Sequence, residues 1–389
     1  MRATRWVLLF VAVTLCCAFA AETYASDARL DGLAVQREYV DDYINFHTFP
    51  TVAARYQNLV TASIGTAANN GTDKSVGVIG AGDNTNYGVF AVYLNQVNRD
   101  VFDPLDPNSP RSVEQQQLDI TWAKAFSGAT VGAGLLYTKS SVDVGQQRNT
   151  PIGGGVNDLD NPNANQLAFT GGAKIDMNNN SMMELAAQLG WWSWEEKDAG
   201  GVVTSEDAGN LSYMLAGRIM SEVSNRTTLV PLIKYSKMDL TEKAATGPDL
   251  DVTRTMLNLG VALHYEVNGN DMLILGVSAD YLKDKDMPAG VEESTWQLPS
   301  LFAALEFDVY SWLTVRTGAR KTFNRLNDDT TDLTVKDSSY RFGLGMGLHF
   351  DNFDVDATVE PNSLFTGGYL FSGDSTTDPL TKITATYFF

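Results

Sequence analysis

Cysteine is almost missing: the 389 residues include two, Cys16 and Cys17, side by side near the start. Both lie in an apolar run from Trp6 to Ala20 that follows Arg2 and Arg5 and ends on Ala18-Phe19-Ala20, with Ala21 behind it. A short apolar run with basic residues ahead of it and small ones at its end reads as a secretory signal peptide over residues 1–20, cleaved after Ala20 or as late as Ala25. A lipoprotein signal fits less well, because Leu15 stands before Cys16 where a small residue belongs. The exported chain is thus expected to carry no thiol, which excludes a disulfide framework, a thiolate metal site and a cysteine nucleophile.

Histidine is nearly as scarce, with only His47, His264 and His349. No Ser, His and acid set shares an evident location, so no catalytic residue, metal site or cofactor is expected. Long apolar runs are absent too. Although 44% of residues are hydrophobic, nothing after the signal approaches the roughly 18 continuous apolar residues of a membrane-spanning helix. Basic charge is also short: 28 Lys and Arg against 47 Asp and Glu give a net charge of -19. A phosphate backbone needs a basic face, so nucleic acid is excluded as a partner.

What is present is alternation. From Gln57 onward the chain divides into about sixteen segments of about ten residues in which apolar and polar or small residues take turns, separated by Gly, Asn, Asp and Thr. The first two, 57–66 and 73–81, are short, and without them the number is fourteen. Connections alternate between short and long. Ser127-Gly128, Asn178-Asn179-Asn180, Val267-Asn268-Gly269-Asn270 and Asp351-Asn352 are short connections, whereas 96–114, 140–164, 195–208, 239–251, 284–294, 325–336 and 362–378 read as long loops. Short turns on one side and long loops on the other are the habit of a barrel crossing a membrane. The expectation is an all-β fold: a transmembrane antiparallel β-barrel of about 14 to 16 strands over 57–389, with a luminal N-terminal segment over 21–56.

The faces follow. Tyr340, Phe342, Leu344, Met346, Leu348 and Phe350 share one face, with Arg341, Gly343, Gly345, Gly347 and His349 on the other. The apolar set is placed outward, toward lipid. Tyr137, Trp191, Tyr281, Phe323 and Tyr340 then fall at loop ends, and Tyr265, Phe350, Tyr387 and Phe389 at turn ends, as two aromatic girdles. Trp194, Trp296 and Trp312 fall on the inward parity.

The last stretch, LTKITATYFF, puts Ile383, Ala385, Tyr387 and Phe389 on one face and ends on Phe. This resembles the closing strand of bacterial outer-membrane β-barrels. The resemblance implies outer-membrane localisation, with Ile383, Tyr387 and Phe389 read by the barrel-assembly machinery and with outer-membrane lipid and lipopolysaccharide as surroundings. Ahead of the barrel, Gly32, Asp41, Asp42, Asn45 and Pro50 follow one another in an order similar to the N-terminal hatch of the long-chain fatty acid transporter family, in which such a segment packs inside the barrel. Where that family has Asn-Pro-Ala, this chain has Phe49-Pro50-Thr51. A leader packed beneath the barrel is the other reading. Taken together, the resemblances imply a channel or transporter for passive passage of small, possibly hydrophobic solutes. A general water-filled porin and a non-transporting structural or surface-interaction barrel remain as alternatives.

On the inward parity lie Glu306 and Asp308, then Arg316 and Arg320, then Arg341, on three successive strands. Opposed charges on neighbouring strands form a luminal ladder that either sets a field across a constriction or holds the N-terminal segment. Further inward positions are Asp119, Lys174, Glu184, Arg218, Lys234 and Asp280, alongside small residues such as Gly172, Ala186, Gly260 and Ala262 that leave room for something inside. Two acidic runs, 157–161 and 327–332, are solvated loops or calcium sites of no standard spacing.

Overall fold

The computed structural model describes residues 26–66, 72–81, 86–94, 116–141, 163–178, 180–197, 202–244, 250–269, 271–287, 291–328, 333–359 and 380–389. Residues 1–20, expected from sequence to be a signal peptide, the acidic run 157–161 and most of the run 327–332 lie outside them. Sixteen strands run in chain order: β1 (Leu59–Thr66), β2 (Thr72–Ala81), β3 (Val89–Leu94), β4 (Gln116–Phe126), β5 (Ala129–Ser141), β6 (Asn163–Asn178), β7 (Ser181–Lys197) and β8 (Val203–Ser224). They continue as β9 (Thr227–Ala244), β10 (Leu250–Glu266), β11 (Met272–Met287), β12 (Val291–Tyr310), β13 (Leu313–Asp328), β14 (Leu333–Phe350), β15 (Phe353–Val359) and β16 (Leu380–Phe388). Each pairs with its sequence neighbours, and β1 closes on β16 from Leu59↔Phe388 to Gly65↔Lys382. Both short N-terminal segments are true strands, so the number is sixteen. Closure gives every strand a neighbour on both sides, which a sheet in hydrocarbon requires.

The apolar face points outward. Phe169, Leu215, Ile233 and Leu301 are about half exposed, while Thr170, Ser212, Ser300 and Thr386 on the opposite parity are buried. A belt of bare aliphatic and aromatic side chains around a closed barrel is satisfied only by lipid, and the chain is an outer-membrane β-barrel. All nine girdle aromatics lie outward, and Ile383, Tyr387 and Phe389 are exposed on the same side.

Two expectations are corrected. Trp296 is not inward: it is 41% exposed and lies against Tyr281, ring centroids 4.5 Å apart. An extra residue in β12 between Gln297 and Ser300 shifts the register against both neighbours and reverses parity beyond it. The long loops are also shorter than their sequences suggest, because β7 to β14 run 16 to 22 residues. Past the hydrocarbon both faces meet water, so apolar alternation stops while strand pairing continues. Cross-strand charges such as Arg254–Asp284, 2.8 Å, and Lys283–Glu292 support these extensions.

Residues 26–56 lie inside the barrel, against the half of the wall nearest the short turns. Helix α1 (Asp27–Leu33) opens on Ser26, whose side chain accepts from Arg29 N–H, and stops at Ala34 in the left-handed region. Three short 3-10 turns follow, Arg37–Tyr39, Tyr43–His47 and Pro50–Ala54. Their apolar residues Leu33, Tyr39, Tyr43, Phe46, Phe49 and Val52 are almost wholly buried. They form one core with inward wall residues that include Leu59, Ile79, Val230, Leu232 and Ile274. This segment is the core that a hollow barrel otherwise lacks.

Candidate functional site

The seam between the N-terminal segment and the wall gathers most of the charge in the lumen. α1 presents Arg29 to β12, where Nε and Nη2 fork the Glu306 carboxylate at 2.6 and 2.8 Å. Glu306 also accepts from Arg316 Nε at 2.5 Å, and Arg316 Nη1 reaches Asp356. Asp356 accepts the Ser26 hydroxyl at 2.7 Å, and Ser26 Oγ accepts the Arg29 backbone N–H at 3.1 Å. These contacts close a ring of two cations, two anions and one hydroxyl with all five residues buried. Burial opposes the charge on Arg29, but Glu306 beside it holds the guanidinium charged. Such pairs survive in a dry site only when each charge is matched and hydrogen-bonded.

A second cluster sits across the lumen. Arg218 of β8 donates to Glu184 at 2.7 Å and to the backbone carbonyls of Glu38 and Val40 at 2.7 and 3.0 Å. Its guanidinium lies 4.8 Å from the Phe49 ring centroid. Glu184 also takes the Thr51 hydroxyl at 3.1 Å and pairs with Arg55 at 3.2 Å, and Arg55 reaches Asp41 at 2.7 Å. Lys234 meets Glu38 at 2.5 Å, and His47 Nδ1 lies 2.6 Å from Asp119.

The four N-terminal residues singled out by sequence thus all belong to this luminal segment. Asp41 is the rim partner of Arg55. Asp42 caps the 3-10 turn, accepting Ile44 N–H at 3.0 Å, with Arg29 at 3.9 Å. Its carboxyl is pushed up to about 7 by burial, against the pull of Arg29 and the Ile44 N–H. Asn45 donates to the carbonyls of Arg37 and Val40 at 3.1 and 2.6 Å. Pro50 rests on Gly132 and Gly172, where an added Cβ would come within 2.8 and 2.9 Å of it.

The predicted ladder divides. Glu306 and Arg316 form the buried ring, and Arg341 reaches Asp31 of α1 at 3.2 Å from an exposed position. Arg320 pairs with Asp280 on the wall at 2.9 Å, and Asp308 accepts the Thr314 hydroxyl at 2.5 Å near the short turns, so these two hold wall to wall. Arg29 and Asp356 were missed: one lies in a helix too short to show a period, the other on a strand read only for its alternation.

The small inward residues have an occupant. A Cβ on Gly318 would lie 1.6 Å from the Leu33 carbonyl oxygen, and one on Gly343 would lie 2.6 Å from that of Gly32. The wall is cut away where α1 passes. On the turn side a cavity of about 360 Å³ opens beside the segment, lined by Glu222, Arg226, His264 and Glu266 and reaching Arg29 and Glu306.

One arrangement has the look of a hydrolytic triad: His349 lies 2.9 Å from Asp354 through Nδ1 and 2.9 Å from Thr314 Oγ1 through Nε2. The Thr314 proton goes to Asp308, so His349 donates to this hydroxyl rather than taking its proton, and Thr314 is fully buried. That polarity is the reverse of an activated nucleophile. Among the described residues no group of His, Cys, Asp or Glu is arranged to hold a metal ion.

No protein-family model matches the chain, and no curated protein sequence matches it. Solved structures that resemble it in part include the ferric preacinetobactin receptor BauA of Acinetobacter baumannii, with 9% identity and TM-score 0.47 over 77% of this chain and 53% of that one. The siderophore receptor PiuA of the same organism gives 10% identity and TM-score 0.46 over 79% and 57%. The ferripyoverdine receptor of Pseudomonas aeruginosa gives 10% and 0.42 over 78% and 42%. The chain spans about half the length of these receptors.

Proposed function

We propose that this barrel carries a small solute passively across the outer membrane, and that residues 26–56 are a plug that gates it. The observation that supports this most is the fastening of the segment. It fills the turn-side half of the lumen, yet it is tied to the wall by ion pairs and hydrogen bonds at two places, through Arg29–Glu306 and through Arg55–Glu184, with Arg218 of the wall donating to the Glu38 and Val40 carbonyls. Polar ties can be exchanged for water or for a ligand, whereas a purely apolar plug would have no such alternative partner. Glu306, Arg316 and Arg341, with Asp41, Asp42, Asn45 and Pro50, are in this reading the latch. Arg320 and Asp308 stiffen the wall around it. Outer-membrane lipid and lipopolysaccharide surround the apolar belt, and Ile383, Tyr387 and Phe389 offer the outward face that the assembly machinery engages.

The resemblance to the fatty acid transporter family brings an apolar cargo. The wall above the plug favours a polar one, since it is lined by Thr138, Gln166, Gln188, Ser212 and Ser300. A general porin needs an open bore, and the seated segment argues against it. Single-channel conductance in a planar bilayer tests the reading, comparing the mature chain with one lacking residues 26–56. The expected result is a mostly closed intact chain and a steadily conducting deletion. Steady conductance in the intact chain would make it a porin, and silence in both would make it a structural barrel.

A further inference from the structure

Above the plug, four adjacent strands hold polar groups that have lost water and gained nothing. Thr138 of β5 pairs across the sheet with Gln166 of β6, and Gln166 with Trp192 of β7. Ser212 of β8 stands opposite Gly190, which lies between Gln188 and Trp192 on β7. All five side chains are at least nine-tenths buried. Thr138 Oγ1, Gln166 Nε2, Gln188 Oε1, Trp192 Nε1 and Ser212 Oγ have no hydrogen-bond partner among the described residues. Buried polar atoms are normally paired, so five orphans in one connected patch need an explanation.

The sheet is built irregularly at the same place. The β7–β8 ladder breaks between Gly190 and Glu195, and Asn210 fills the gap. Its side chain accepts the Trp192 backbone N–H and donates to the Trp192 carbonyl at 2.5 Å. The main chain of Trp192 is therefore fixed by a side chain in place of the ladder, which holds the indole in the lumen. Interruptions of this kind re-aim side chains near functional sites.

We infer that this patch on β5 to β8 is a binding site for a neutral, polyhydroxylated solute. None of the five groups carries charge, so neither an anion nor a cation finds a counter-ion among them. Trp192 and Gln166 donate, Gln188 accepts, and Thr138 and Ser212 do either. A hydroxyl group both donates and accepts, so a row of hydroxyls satisfies this mixed set, and the indole ring offers an apolar face to ring C–H groups. This inference rests on the transport reading above and names its substrate class.

The test is calorimetric titration of the purified full-length mature barrel with maltotriose, glucose 6-phosphate and glucosamine. Saturable binding is expected for maltotriose alone. Gln166→Leu, which removes the carboxamide, and Trp192→Phe, which removes the indole N–H, should each weaken it about tenfold. Trp192→Phe keeps an aromatic ring in place, and heat-modifiable migration on gels reports that either variant remains a closed barrel. No saturable binding of maltotriose, equal binding of the charged sugars, or unchanged affinity in folded variants would overturn the site. Swelling of liposomes carrying the same protein separates the two claims. Binding without maltotriose entry would remove transport and keep the site, whereas entry without saturable binding would keep transport and remove the site.

Discussion

The two halves of the lumen are walled by the same strands but differ in what faces inward. Toward the short turns the wall offers Leu59, Ile79, Val230, Leu232 and Ile274 on one arc and the buried charges Glu306, Arg316 and Asp356 on another. Toward the loops it offers Thr138, Gln166, Ser212, Ser278 and Ser300, which are neutral and polar. The lower half is complete only with a peptide in it, because apolar side chains and paired charges both need a dry partner. The upper half offers neutral hydrogen-bonding groups in place of apolar side chains and paired charges. A period of two residues settles which side a residue takes. What then occupies that side depends on the identities along the strand.

Three experiments press on this contrast, all read as the mobility of a nitroxide label placed at Gln36. A chain that starts at residue 21 has no native thiol, so a single introduced cysteine is labelled alone. The largest effect is expected for Glu306→Ala, which leaves Arg29 and Arg316 buried without their shared anion. Removing one partner of a buried pair costs about 3–5 kcal/mol, so the label should become mobile. A label as still as in the parent chain would show that the apolar contacts alone seat the plug.

The next effect is a pH dependence. The free Asp42 carboxyl titrates near 3.8 and the seated one near 7, so the seated form binds its proton more tightly. Seating is therefore most favourable below about pH 4, weakens as pH rises to about 7, and is level above that. The gap between those two values bounds the change at about 4 kcal/mol. Asp42→Asn should flatten the profile, and an unaltered slope would move the titration to another group. The smallest effect is expected in the upper half. Ser300→Ala removes the hydroxyl that donates to Thr322 at 3.0 Å, at a cost of about 1 kcal/mol to the wall, and should leave the label unmoved. A mobile label there would mean that the two halves are coupled.

Much of this molecule was readable before folding. The outward aromatics, the inward glycines of β14 and the turn positions all follow from strict alternation. Trp296 was misplaced because a single extra residue in β12 inverts every side chain beyond it, and the local sign of the insertion, Pro299 inside a strand, was passed over. The loops were overestimated where strands rise out of lipid and keep their ladder but lose their hydrophobic pattern. Glu306 and Arg316 were legible as inward charges, but their third partner was not. Arg29 lies in a seven-residue helix, and its meeting with Glu306 spans 277 positions.

The hinge of the plug carries one more consequence. Asn58, in the left-handed region at φ 60°, joins the luminal segment to β1, and its carbonyl accepts the backbone N–H of Phe389 at 2.9 Å. The residue where the plug turns into wall is thus tied down by the far end of the described chain, at the one seam where β1 meets β16. Zipping that seam also fixes the point from which the segment enters the lumen. During biogenesis, stowing the segment and sealing the cylinder are in this geometry a single step, and a chain that fails at either should be rejected as unfinished at both.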